Sequence, residues 1–478
     1  MLPLVNRNQP NRGYWSTMRP VSVVITLIVM LVVAFNSALV AGADERKEEN
    51  VQAEVLPDQL KGHGGPIKAI SISPDGEKVL TSSFDYSVLY WDISDAKAAI
   101  LHRLEGHEAA VNDAVFSQSG KQAYSVSDDG TLAIWDLEKG KLILRIKAPR
   151  EKVLDIGLSP DGKHAAVARW DQTVRIYDLL LQKEVAVLEG HRGNVNAVAW
   201  SSDGKFLYSA GYDGQILEWD TQQLRFLRPV YRHGWGINSI ALLDNQRILY
   251  GALNGTVAVV DIVRAERVMD IAEQDSPVQS VKVSPDGALA GFSDGKGKIH
   301  VFNATSGKEI ERGEVTYGPV WDFDFVSGTN QIYHVGLDDF AARWQISPRK
   351  INQIAAELPR RFQVRDGKDA GELEFQRKCS VCHTLVEDGA NRAGPTLFKV
   401  FGRKAGTLPG YNYSKALLNS DIVWNDETIG LLFSAGPDKV VPGTKMPIQR
   451  LKKVERREEL IRFLKEATEP TEQGKTEK

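Results

Sequence analysis

Through the middle of the chain, apolar and polar positions alternate in short runs, each closed by a turn signal. A period of two in this setting predicts β-strands rather than helices. The pattern recurs. Runs ending in Trp91-Asp92, Trp135-Asp136, Tyr177-Asp178, Trp219-Asp220, Val260-Asp261, Phe302-Asn303 and Trp344-Gln345 follow one another at intervals of 41 to 44 residues. Each unit holds an alternating strand, a turn such as Ser73-Pro74-Asp75-Gly76, a second strand, an Asp-Gly-like turn, and a third strand ending in the aromatic-acid pair. A fixed period of this length is the mark of a repeat architecture built from antiparallel sheets.

Three units open with Gly-His, at Gly62-His63, Gly106-His107 and Gly190-His191. With that feature the stretch resembles the WD-repeat family, and the resemblance implies an all-β, seven-bladed WD-repeat β-propeller over residues 51–347 with four strands per blade. Ring closure leaves few exposed sheet edges. The segment from Val51 to Leu56 is expected to supply the last blade's fourth strand. In this family the Gly-His histidine belongs to a buried hydrogen-bond chain with an aspartate and an indole, which gives the pairs His63 with Asp85, His107 with Asp129 and His191 with Asp213. These are structural groups, not metal ligands. His233, near Trp235, lacks the Gly-His context and is expected to be packed or solvent-facing, with a place lining the propeller mouth as the alternative. Blades five to seven depart from the pattern, with Asn254 and Lys296 at the acid position.

The N-terminus carries a different pattern. Val21 to Phe35 is an almost uninterrupted apolar run behind Arg7, Arg12 and Arg19, and Ala41-Gly42-Ala43 forms a small-residue cleavage site. Residues 1–43 thus read as a signal peptide, with an uncleaved N-terminal anchor as the alternative. Either delivers the rest to the periplasm, tethered to the inner membrane only if the segment stays uncleaved. With 478 residues, 42% of them hydrophobic, and a net charge of −3, neither a nucleic-acid partner nor a disordered chain is indicated.

The two cysteines of the chain both fall in Cys379-Ser380-Val381-Cys382-His383. There is therefore no disulfide framework, and Cys-x-x-Cys-His is the attachment motif of a c-type haem. Thiols about one helical turn apart can add to the two vinyl groups of a porphyrin, and the next residue sets an imidazole over the iron. Further stretches point the same way: Ala393-Gly394-Pro395-Thr396-Leu397, Phe401-Gly402-Arg403-Lys404, Pro409-Gly410-Tyr411-Asn412-Tyr413, Val423-Trp424 and Pro442-Gly443-Thr444-Lys445-Met446. On these residues the C-terminal segment resembles the class I cytochromes c of mitochondrial and α-proteobacterial type. The resemblance implies an all-α cytochrome c domain at 369–469, after a linker at 348–368 and before a disordered tail at 470–478.

It also implies one haem c bound through Cys379 and Cys382, with His383 and Met446 as axial iron ligands. Pro395 would orient the His383 ring through its carbonyl. Arg403, Tyr413 and Trp424 would hydrogen-bond a buried haem propionate, and Thr444 would support the methionine loop. Gly371 and Phe375 match the first helix, and Leu460, Phe463 and Leu464 the last. The tyrosine usual beside the distal methionine is replaced by Phe433 or Leu432, and the segment Ile429 to Gly436 is one residue longer. Lys399, Lys404, Lys439, Lys445, Lys452 and Lys453 are expected to form a basic face that steers toward an acidic partner.

A six-coordinate iron has no open position for substrate, so the expected function is electron transfer rather than catalysis, with the propeller as a docking platform for a redox protein partner. One alternative is an oxidoreductase whose propeller holds a separate cofactor or metal and feeds the fused cytochrome. A scaffold with a redox-sensing haem is another.

Overall fold

The computed structural model describes residues 56–147, 151–316, 318–347, 369–380, 382–387, 394–411, 413–444, 446 and 450–468. The expected signal segment, linker and tail lie outside these residues, as does most of the expected closing strand.

Residues 59 to 345 form seven four-stranded antiparallel sheets, six of them built from strands in plain chain order. Blade one shows the scheme, with strands Ile67–Ile72, Lys78–Ser83, Ser87–Asp92 and Ala99–Glu105. The apolar core is divided. Seven separate clusters each draw on two neighbouring blades, Leu80 and Val88 of blade one meeting Val111 and Trp135 of blade two, for example. A blade is therefore covered on both faces, which changes the expected alternation. The second strand of each blade is buried along nearly its whole length, as in Lys78–Ser83, and strict alternation survives on outer strands such as Lys183–Glu189. Polar side chains of the inner strands stitch each blade to the next. Asn196 Nδ2 donates to the Ile237 carbonyl at 2.8 Å, Asn238 Nδ2 to that of Val278 at 2.8 Å, and the Val198 amide to Asp155 Oδ2 at 2.8 Å.

The ring closes through the seventh sheet, where Gln59–Lys61 pairs with the outermost of the last three strands, Leu60 opposite Ala341. The closing strand thus lies beyond the expected Val51 to Leu56. Pro57 has no N–H to give a ladder, and its carbonyl instead accepts from the Tyr333 hydroxyl at 2.5 Å. Leu60 is then the residue that fills the seventh inter-blade cluster.

The expected His–Asp pairs are formed, with one component the sequence did not reveal. His63, His107 and His191 donate from Nδ1 to Asp85, Asp129 and Asp213 at 2.9 to 3.1 Å. The indoles of Trp91, Trp135 and Trp219 do not reach the imidazoles. They donate to the hydroxyls of Thr81, Ser125 and Ser209, which in turn lie 2.7 to 2.8 Å from the histidine Nε2 atoms. Blade five keeps a weakened version in which His233 Nε2 meets Asn254 Oδ1 at 3.1 Å and the Tyr250 hydroxyl lies 3.1 Å from Nδ1, so His233 is a packed, half-buried group. In blade six the acid has moved two residues, to Asp294, which accepts from the Ser276 hydroxyl and the Lys296 amide.

Burial pushes the Asp213 carboxyl up, but the His191 hydrogen bond and the Arg192 amide outweigh it and hold the group at about 2. Asp85 and Asp129 are likewise held below the ordinary carboxylate range against the effect of burial. A folded-state pKa below the unfolded one adds stability that is complete above about pH 4 and lost as pH falls toward the folded value. The urea midpoint of the propeller should therefore fall steadily between about pH 4 and 2, and Asp213→Asn should flatten that fall. An unchanged slope would refute the assignment.

Past residue 368 the described residues hold five helices: α1 (Ala370–Lys378), α2 (Lys415–Leu418), α3 (Asp426–Ala435), α4 (Pro437–Val440) and α5 (Val454–Thr468). Helix α1 starts at Asp369, whose side chain accepts from the Gly371 amide at 2.6 Å. Helix α3 starts with a capping box between Asn425 and Thr428. Helices α1 and α5 cross at Gly371, where a Cβ would overlap the Glu459 carbonyl oxygen. The ion pairs Asp369 with Arg462 and Glu374 with Arg456, at 2.7 and 2.8 Å, flank the crossing. No described helix is long and apolar enough to cross a membrane.

Candidate functional site: a cavity around Cys379, Cys382 and His383

Helix α1 ends at Cys379, and a tight turn follows. The Cys382 and His383 amides both donate to the Cys379 carbonyl, at 3.0 and 2.9 Å, so the two cysteines and the histidine are wrapped around one point. The next segment is tied to the first by the Gly394 amide on the Cys382 carbonyl at 2.9 Å and the Leu397 amide on that of Thr384 at 2.8 Å. These bonds set Pro395 against the histidine. Its carbonyl lies 2.7 Å from His383 Nδ1, and a carbonyl only accepts, so Nδ1 carries the proton and Nε2 the lone pair. Gly394 packs against the same ring, where a Cβ would overlap His383 Cε1 and stand 2.7 Å from Nδ1.

Arg403 and Trp424 are brought level by a short ladder in which Gly402 donates to the Trp424 carbonyl at 2.8 Å and Trp424 to that of Arg403 at 3.0 Å. The Arg403 guanidinium also donates to the carbonyls of Thr396 and Phe398, at 2.7 and 3.0 Å. The Met446 amide donates to the Thr444 hydroxyl at 3.3 Å, and Met446 packs against the cluster formed by Phe375, Cys379, Ile429 and Phe433.

All nine residues singled out from the sequence, Cys379, Cys382, His383, Pro395, Arg403, Tyr413, Trp424, Thr444 and Met446, line one cavity of about 310 Å³. Leu397, Val400, Ile429 and Leu464 make much of its remaining wall apolar, and both candidates for the replaced tyrosine, Leu432 and Phe433, line it too. Burial pushes the Cys379 thiol up to about 12 and that of Cys382 to about 11, and it lowers the His383 imidazole. The pocket therefore holds two neutral thiols, a neutral imidazole with a free lone pair and a thioether. This is a donor set suited to a soft, apolar, iron-bearing macrocycle.

The sequence did not indicate that Phe84, Tyr86, Ala109, Ala110 and Asp128 of the propeller line the same cavity. Of the expected basic face, Lys404 is already paired with Asp421 at 2.8 Å, Lys399 lies over the Phe398 ring, and Lys445 lies outside the described residues. Among the described residues no group of three or more His, Cys, Asp or Glu side chains is arranged to hold a metal ion.

Comparison with known proteins accords with both halves. The family model described as WD domain, G-beta repeat matches residues 55–92, 99–136, 140–178 and 182–220, the first four repeats. Blades five and six have the same strand order, and blade seven differs in being closed by the first strand of the chain. Cytochrome c of Sesamum indicum is 43% identical over 99 residues, 21% of this chain and 88% of the relative. Cytochrome c of Gibberella zeae is 43% identical over 94 residues, 20% and 88%, and cytochrome c type-1 of Ascaris suum 40% over 98 residues, 20% and 86%. The chain belongs to the cytochrome c family, its cytochrome c part fused at the C-terminal end of a WD-repeat β-propeller.

Proposed function

We propose that this protein is a periplasmic electron carrier with one haem c, held in a second, all-α domain at 369–469 and joined by thioethers to Cys379 and Cys382. The observation that carries this reading is the convergence of nine residues, scattered over 68 positions of sequence from 379 to 446, on one cavity. Bound there, the group supplies a one-electron couple. The chain's own residues do the rest. Pro395 holds the proton on His383 Nδ1, which leaves Nε2 free to bind the iron, and Thr444 holds the loop from which Met446 would supply the second ligand. Arg403, Tyr413 and Trp424 serve a propionate.

The propeller is the docking platform for a redox partner. Supporting this, Trp170, Tyr212 and Trp235 stand 51, 62 and 63% exposed at the end of the ring where the second-to-third-strand turns lie. Exposed aromatics on a rigid scaffold are the side chains that anchor interfaces at least cost in conformational entropy. An acidic docking face on the partner would suit Lys399, Lys439, Lys452 and Lys453.

The test is iron and total-metal content per chain in protein made by a host that matures c-type cytochromes. One haem iron per chain that survives denaturation, and is lost when Cys379→Ser and Cys382→Ser are combined, is the expected result. A second metal held by the propeller would instead favour the oxidoreductase reading, and absence of haem would refute both.

A further inference from the structure

The turn between the second and third strands of blade one carries Tyr86 with φ of 70°. Blades two, four and five place Gly130, Gly214 and Gly255 at this point, with φ of 80, 72 and 90°. The left-handed region brings a Cβ too close to the neighbouring carbonyl, so a large aromatic here is held against its own backbone preference. Blade three shares the conformation at Gln172, but that residue is polar and exposed. Tyr86 is half-buried and faces the cavity together with Phe84, whereas the blade-three and blade-four counterparts of Phe84, Trp170 and Tyr212, are the exposed ones.

Tyr86 shares the cavity wall with residues of both parts of the chain, Cys382 and Tyr411 among those of the cytochrome c part. Burial, with Cys382 and Asp128 beside it, pushes its phenol well above the ordinary range. Tyr411 is raised by its own burial and by Tyr86 and Cys382, and its ring meets Tyr413 edge-on at 4.8 Å. Asp128 is fixed at the rim by Lys152 at 2.6 Å and Asn112 at 2.8 Å. Ala109 and Ala110, from the loop entering blade two, complete this wall.

We propose that Tyr86, flanked by Phe84, Ala109, Ala110 and Asp128, is the propeller's share of the haem site, a resident cap on the cavity that keeps water and small solutes from the haem. The proposal rests on the reading of the cavity as a haem site. Burial disfavours the more highly charged ferric form, so the cap raises the reduction potential. It also puts the propeller of the same chain where a diffusing reductant would otherwise approach, and makes Tyr86 a positioning residue for electron entry.

Tyr86→Gly tests this in the full-length, haem-loaded protein. It restores the residue the repeat itself uses and relieves the backbone, so the ring should be at least as stable to urea. The expected result is a downward shift in midpoint potential and several-fold faster reduction by ascorbate, with haem content and the axial-ligand spectrum unchanged. Gln172→Gly, the same backbone change in the blade-three turn and away from the cavity, should alter neither. The proposal is overturned if Tyr86→Gly leaves both quantities at the parent values, or if Gln172→Gly moves them equally. Failure of the underlying reading would show separately, as a parent protein without one haem iron per chain.

Discussion

Met446→Ala should leave haem covalently attached and open one iron position to added ligands. If Met446 is the iron ligand proposed above, an added imidazole must in the parent protein displace its thioether, which Thr444 and the cluster of Phe375, Ile429 and Phe433 hold in place. If that displacement costs about 2.7 kcal/mol, the variant binds imidazole roughly a hundredfold more tightly. Titration followed in the visible spectrum reads this directly. The variant should also lose about 2–5 kcal/mol of stability, the usual cost of truncating a packed methionine. An unchanged spectrum with no gain in imidazole binding would remove Met446 from the axial position.

Gly371→Ala is the second substitution with a large expected effect, because the obstacle is backbone rather than side chain. The added methyl overlaps the Glu459 carbonyl oxygen and crowds Phe463, and no rotamer change can relieve a clash with a carbonyl in the middle of α5. Helices α1 and α5 must then move apart, along with the Asp369–Arg462 and Glu374–Arg456 pairs. A loss on the order of 3 kcal/mol is expected. Since α1 ends at Cys379, the yield of haem-loaded protein should fall with it. Urea unfolding of the holoprotein and haem per chain measure the two effects, and a parent-like value for both would contradict the close crossing.

Much of this arrangement could be read from residue order, for a physical reason. The Trp-Asp and Gly-His pairs are local and recur, and turn residues such as Asp129-Gly130 report a backbone conformation that few other residues adopt. The cavity was equally legible because Cys379, Cys382 and His383 are adjacent, and Pro395 and Met446 sit in short distinctive segments. What escaped has no local signature. Thr81, Ser125 and Ser209 look like any hydroxyl residue in a strand, yet each joins an indole to an imidazole. His233 with Asn254, and Asp294 of blade six, keep the geometry of the repeat while losing its letters. The closing strand was placed a few residues too early because Gln59–Lys61 is only three residues long and carries too little pattern to mark a strand. Tyr86 lies furthest from reach, since its role depends on residues some 300 positions away that only the folded chain brings near.

The three-residue strand Gln59–Lys61 pairs with residues 340–342, and Arg343 meets Asp58 across 285 positions of chain. The first part of the ring to be made is therefore finished by the last. Until residue 345 is available, six blades carry an open edge at either end, and joining them demands the longest loop closure within the ring. Such non-local pairing is slow relative to hairpin formation, so the open arc should be the longest-lived species on the way to the native ring. The haem attachment motif follows only 34 residues after the last strand. Maturation of the cytochrome and closure of the propeller thus fall in the same interval of synthesis, and a delay in either leaves unpaired strand edges beside an unfilled apolar cavity.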